Sequence, residues 1–93
     1  IVPYDTLDEA IALVNESELA LNAGIYTNVL TDAMKAAEEI EAGAVIINDI
    51  PTFRVDNMPY GGVKMSGYGK EGIKYAVEEM TDLKFITMKL NYE

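Results

Sequence analysis

Apolar and polar positions alternate along this chain with a period that changes several times. Ile1, Val2, Pro3 and Tyr4 make a short apolar stretch suited to the end of a strand. In TLDEAIALVNES the period becomes helical: Leu7, Ala10, Ile11 and Val14 share one face, and Thr6 followed by Glu9 fits a capping box. AGIYTN, residues 23–28, is β-branched and aromatic enough for a strand. A second helix is expected over TDAMKAAEEIEAG, capped by Thr31, with Asp32 in its first turn. Met34, Ala37 and Ile40 line its predicted face, and Gly43 stands where a helix-terminating glycine belongs. AVIIN, residues 44–48, is a continuous apolar run of the kind found in buried parallel strands. From Asp49 to Gly69 no period holds, and Pro51, Pro59, Gly61, Gly62, Gly67 and Gly69 punctuate a long loop. A third helix is expected over about residues 70–80, with Ile73, Ala76, Val77 and Met80 on one face. LKFITMKL, residues 83–90, closes the pattern as a strand.

That order predicts an α/β fold with a mainly parallel sheet and flanking helices, because helical crossovers join parallel strands. The last strand, with Lys84 and Lys89, is expected to lie apart from the main sheet. At 93 residues the chain suits one small domain with a thin core. Its 49% apolar and 25% charged residues are a globular balance. An opening of Ile-Val-Pro reads as the middle of something, so residues 1–93 are expected to be one partial domain of a longer chain.

Composition removes several chemistries. Neither cysteine nor histidine is present, so the chain offers no disulfide, no Cys or His metal site, and no Ser-His-Asp or Cys-His catalysis of its own. The formal net charge is −9, and six acids precede the first basic residue, Lys35. Such a surface repels phosphate backbones and argues against nucleic acid as a partner. No apolar run approaches membrane-spanning length, and no basic-then-apolar signal segment opens the chain.

GYGKEG, residues 67–72, formally matches the dinucleotide-binding pattern G-x-G-x-x-G. The pattern has meaning only after a buried strand, at the mouth of a helix, with an acid about twenty positions on. A helix does follow. The preceding MPYGGVKMS is no core strand, and the position about twenty beyond Gly67 is Thr87. Two of the conditions fail, so these glycines are expected to serve tight turns and close backbone approach.

The same loop carries a more specific likeness. Pro59-Tyr60-Gly61-Gly62-Val63-Lys64, then Ser66-Gly67, then Gly69-Lys70-Glu71-Gly72 resembles the C-terminal pattern of the aldehyde dehydrogenase superfamily, Pro-Phe-Gly-Gly-x-Lys-x-Ser-Gly-x-Gly-Arg-Glu. Upstream, DEAIALVN is similar to the family's DEAIxxAN helix, LNAGIYT to its GLxAGVFT strand, and AVIIN to its GxVxIN strand. The resemblance therefore runs along essentially the whole chain. Leu19-Ala20-Leu21 departs from the usual Tyr-Gly-Leu, and Tyr60 replaces the more frequent Phe. Asp49 to Asp56, with Phe53-Arg54, resembles the branch acting on lactaldehyde or, without phosphorylation, on glyceraldehyde 3-phosphate.

The resemblance implies an enzyme that oxidises an aldehyde to a carboxylic acid with NAD or NADP. In the family a Cys thiolate attacks the carbonyl, hydride leaves for the cofactor, and a Glu activates water to hydrolyse the thioester. None of these catalytic or cofactor-binding residues is assigned to this chain; the family carries them upstream. What it implies here is a wall of the substrate tunnel: Tyr60 beside the reacting aldehyde, and Thr52, Phe53 and Arg54 as candidates for substrate choice. Arg54 suits a carboxylate or phosphate through paired charge-assisted hydrogen bonds; otherwise it is a surface arginine pairing with Asp49 or Asp56. Asn48 is expected to bond backbone at the strand end, and Lys64 and Glu71 to fix the loop. Leu83–Leu90 matches the family segment that joins a neighbouring subunit, implying a homo-oligomer, and the acidic charge of such an enzyme implies a soluble, cytoplasmic protein. The competing reading is a free-standing α/β module that binds or oligomerises without catalysis.

Overall fold

A computed structural model describes residues 1–91. Helix α1, Leu7–Asn15, begins where the capping box predicts: the Thr6 side chain accepts the Glu9 N–H at 3.2 Å. The reciprocal arm reaches one residue further back than expected, with the Asp5 N–H donating to the Glu9 carboxylate at 2.9 Å. Ile11 is buried and Leu7 and Ala10 are half-buried, whereas Val14 is left exposed.

Two short strands follow, β1 at Leu19–Ala20 and β2 at Asn22–Ile25. The strand expected over 23–28 thus starts one residue early and stops at Ile25, because Thr27 turns the chain: its hydroxyl accepts the Val29 N–H. Helix α2, Leu30–Glu39, is preceded by Val29 with no side-chain cap, so Thr31 lies inside the first turn instead of capping it. Its inner face is Ala33 and Ala36, one position before the Met34 and Ala37 stripe read from the sequence; Met34 is exposed. Alanines there let the helix lie close on the sheet, which methionine would hold off. Lys35 pairs with Asp8 and ties α2 to α1, and that hydrogen bond raises the lysine pKa against the opposing effect of desolvation. The helix ends at an extended Ile40, so Gly43 is not its terminating residue.

Strand β3, Ala44–Ile47, lies parallel to β2 with Asn22 opposite Ala44 and Ile25 opposite Ile47. This is the parallel crossover the pattern predicts. The long segment after it is not structureless: β4, Val63–Lys64, returns antiparallel to β1. The described residues therefore form two two-stranded sheets, one parallel and one antiparallel, in place of one mainly parallel sheet. AVIIN is half-buried, with Ile47 exposed, because among the described residues only β2 pairs with it. Helix α3, Ile73–Met80, starts after Gly72 and not at residue 70, since Gly72 adopts φ 115° and Glu71 is drawn into a bridge with Tyr60. Residues 83–90 pair with no strand among the described residues, and Leu83, Phe85, Ile86, Met88 and Leu90 are all exposed.

The buried core comprises Ile11, Ala20, Ala33 and Ala36. Cα atoms spread over 74 × 28 × 22 Å with a radius of gyration of 19.3 Å. A compact domain of this length has a radius of gyration of about 12 Å. No helix among the described residues is long and apolar enough to cross a membrane.

Candidate functional site

The end of β3 is where the backbone begins to build a site. Asn48 takes a left-handed φ of 60°, a conformation that asparagine tolerates better than most residues. Backbone and side chain both pin it: its N–H donates to Ile25 O at the end of β2 at 2.7 Å, and its Oδ1 accepts the N–H of Thr27, just beyond β2, at 2.8 Å. The next residues curl back over β2. Asn22 Nδ2 donates to the Pro51 carbonyl at 2.9 Å, and the Phe53 N–H closes a turn on Ile50 O at 3.1 Å.

Beside these bonds lies a cleft of about 340 Å³ lined by Leu21, Asn22, Pro51, Thr52, Arg54 and Tyr60. Of the residues singled out in the sequence, Thr52, Arg54 and Tyr60 line this cleft. Phe53 is not among its lining residues and is 45% exposed. The Arg54 guanidinium stacks over the Tyr60 ring at 4.3 Å from its centroid. Its ionic neighbour is Glu71, with Nη2 to Oε2 at 3.7 Å, and not Asp49 or Asp56. The physical reason is the antiparallel bridge between Tyr60 and Glu71, in which each N–H donates to the other's carbonyl. That bridge brings a residue seventeen positions away along the chain (71 − 54) beside the arginine.

Leu21, Asn22 and Pro51 line the cleft without having been singled out for it in the sequence, and Asn22 is the polar side chain among them. Its amide nitrogen holds the loop, while its Oδ1 is buried without a hydrogen-bond partner. The only signal was a polar side chain interrupting the apolar run LNAGI.

Lys64 and Glu71 do not pair with each other. Lys64 adopts a left-handed φ of 53° and sends its ammonium to Asn15 O at 2.7 Å and the Glu41 carboxylate at 2.9 Å. It ties β4 to the carbonyl end of α1. Ser66 Oγ accepts the Ala20 N–H at 2.7 Å, extending the β1–β4 junction.

The glycine turn has a larger hollow of about 540 Å³ beside it, lined by Gly62, Val63, Gly67, Tyr68 and Lys70 among others. Its groups do not suit a dinucleotide. The preceding strand is two exposed residues long. The Lys70 N–H, which a pyrophosphate would need, already donates to the Glu79 carboxylate at 3.1 Å. That carboxylate presses so close to Gly69 that a Cβ there would meet Oε1 at 2.8 Å. Negative charge seated on the turn repels phosphate.

The chain is similar to known proteins along most of its length. The chain is 58% identical over 90 residues to a 3-sulfolactaldehyde dehydrogenase of Priestia aryabhattai, covering 97% of this chain and 19% of that protein. It is 53% identical over 81 residues to a lactaldehyde dehydrogenase of Methanococcus maripaludis, covering 87% of this chain and 17% of that one. The crystal structure of a glyceraldehyde-3-phosphate dehydrogenase from Methanocaldococcus jannaschii, complexed with NADP, superposes with a TM-score of 0.79 at 51% identity, over 83% of this chain and 17% of its own. The chain thus spans less than a fifth of the length of these relatives. The profile of the aldehyde dehydrogenase family matches residues 1–86, and the chain belongs to that family.

Proposed function

We propose that these residues form the C-terminal part of the catalytic domain of an NAD(P)-dependent aldehyde dehydrogenase, where they wall the substrate side of the active centre. The observation that carries this reading is the convergence of Thr52, Arg54 and Tyr60 on one cleft beside a loop held by Asn22 and Asn48. The reaction is oxidation of an aldehyde to a carboxylic acid. This chain has no cysteine, so the nucleophile comes from elsewhere in the protein. NAD or NADP supplies the oxidant; a solved relative was crystallised with NADP. The glycine turn does not fit the cofactor, which is therefore assigned to residues outside this chain.

Within the reaction, the chain's own groups bind and orient. Tyr60 offers an aromatic wall beside the aldehyde and Thr52 a hydroxyl. Arg54 supplies a permanent cation with five donors for a carboxylate, sulfonate or phosphate on the substrate. Two of the relatives are named for aldehydes that carry such an anion, 3-sulfolactaldehyde and glyceraldehyde 3-phosphate. Arg54→Ala in the full-length protein is expected to impair anionic aldehydes far more than neutral ones. An equal loss on both rejects the assignment.

Leu83–Leu90 is assigned to subunit contact. Its exposed apolar side chains and unpaired backbone support the addition of a strand to a neighbouring subunit's sheet. The same exposed surface, along α3 and this arm, weighs against a free-standing module, which needs a covered core.

A further inference from the structure

We propose that Glu71 is a positioning residue for anion recognition: through its bridge to Tyr60 it completes a clamp that fixes the Arg54 guanidinium at the cleft. The inference rests on the reading that Arg54 receives the substrate's anion, and it concerns what holds the arginine in place. A free arginine carries about 2 kcal/mol of rotamer entropy, so an unrestrained one binds an anion at the cost of its own ordering.

Two restraints converge on this one. The Tyr60 ring covers a face of the guanidinium at 4.3 Å, and the Glu71 carboxylate stands off Nη2 at 3.7 Å. Both come from a single backbone feature, because Tyr60 and Glu71 are bridge partners and present ring and carboxylate side by side. Gly72, at φ 115°, turns the chain directly after Glu71 into α3 and so sets where the bridge ends.

The separation matters. A hydrogen-bonded Arg–carboxylate pair closes to about 2.7–2.9 Å and engages the donors. At 3.7 Å the carboxylate orients the guanidinium by charge while leaving donors for a ligand. Both side chains are well exposed, 46% for Arg54 and 71% for Glu71, so the pair adds little to stability. Its consequence is orientation, read in substrate affinity.

The test is steady-state kinetics of the full-length protein with a sulfonate-bearing 2-hydroxyaldehyde and with neutral lactaldehyde. Glu71→Gln is expected to raise KM for the sulfonate aldehyde about two- to fivefold, with kcat little changed and lactaldehyde unaffected. Glu71→Asp keeps the charge and the backbone bridge but shortens the reach, and should raise the same KM by less. Combined with Arg54→Ala, Glu71→Gln should add no further loss, since it acts through the arginine. Equal impairment of both aldehydes, or a further loss in the double variant, overturns the proposal and makes Glu71 a loop-holding residue only. If Arg54→Ala itself shows no selectivity, the anion reading fails first and the clamp falls with it. If Arg54→Ala is selective and neither Glu71 variant is, the clamp alone fails.

Discussion

Single residues in this chain act mainly by placing others. Tyr60 is the clearest case: one side chain lines the cleft, supports Arg54 by its ring, and fixes Glu71 by its backbone. Tyr60→Ala in the full-length protein should raise KM several-fold for every aldehyde tested, about 1–2 kcal/mol of lost wall and stacking, with the larger effect on anionic ones. Unchanged kinetics across the panel would remove Tyr60 from the substrate wall. Arg54, Thr52 and Tyr60 could be singled out in the sequence because they sit within or beside a spaced motif, and they share one cleft. The place of Asn22 in the cleft and the pairing of Glu71 with Arg54 could not be. Each depends on a partner far along the chain, Pro51 for Asn22 and Arg54 for Glu71, and no local pattern encodes that pairing. Phe53, singled out with Thr52 and Arg54, is not among the residues lining the cleft and stays 45% exposed beside the turn its N–H closes on Ile50 O.

Among the elements, those with a complete local code formed where they were expected. Helix α1 has the Thr6 cap and a Glu9 carboxylate reaching back to the Asp5 N–H, and the β2–β3 pair has a helical crossover that enforces parallel pairing. Helix α2 shows the limit of such reading. Its alanines make two stripes equally plausible by composition, and contact with β3 and α1 selects Ala33 and Ala36. Strand β4 was hidden because two residues cannot carry a period; β1 and the Ser66 and Lys64 bonds define it. Gly43 illustrates how one position joins elements. A Cβ there would lie 1.8 Å from Gly61 O and 2.8 Å from Leu21 O, both backbone atoms that cannot swing aside. Gly43→Ala must therefore push the loop bearing Tyr60 off β3. The expected cost is about 1–3 kcal/mol, seen as a lower Tm together with weaker turnover of all aldehydes. A variant with unchanged Tm and kinetics would show that the loop yields freely at this point.

Across the whole molecule, the described residues bury only a small core and leave apolar side chains of α3 and residues 83–90 uncovered. This profile, a radius of gyration of 19.3 Å and a span of less than a fifth of its relatives' length all support the proposal that these residues pack against further protein. For the terminal arm, Ile86→Pro removes a backbone donor from the proposed intersubunit ladder and should shift the full-length protein to smaller assemblies in sedimentation velocity. An unchanged assembly would place the subunit contact elsewhere. The central claim is that this chain gives an aldehyde-oxidising enzyme an arginine-bearing substrate wall. The most direct measurement is kcat/KM of the full-length protein for a sulfonate-bearing and a neutral 2-hydroxyaldehyde, with wild type beside Arg54→Ala and NAD or NADP as oxidant. Loss of charge-assisted hydrogen bonds should lower kcat/KM about ten- to a hundredfold for the anionic aldehyde and leave the neutral one within about twofold. Parallel losses on both aldehydes, or no oxidation of either by the wild type, would contradict it.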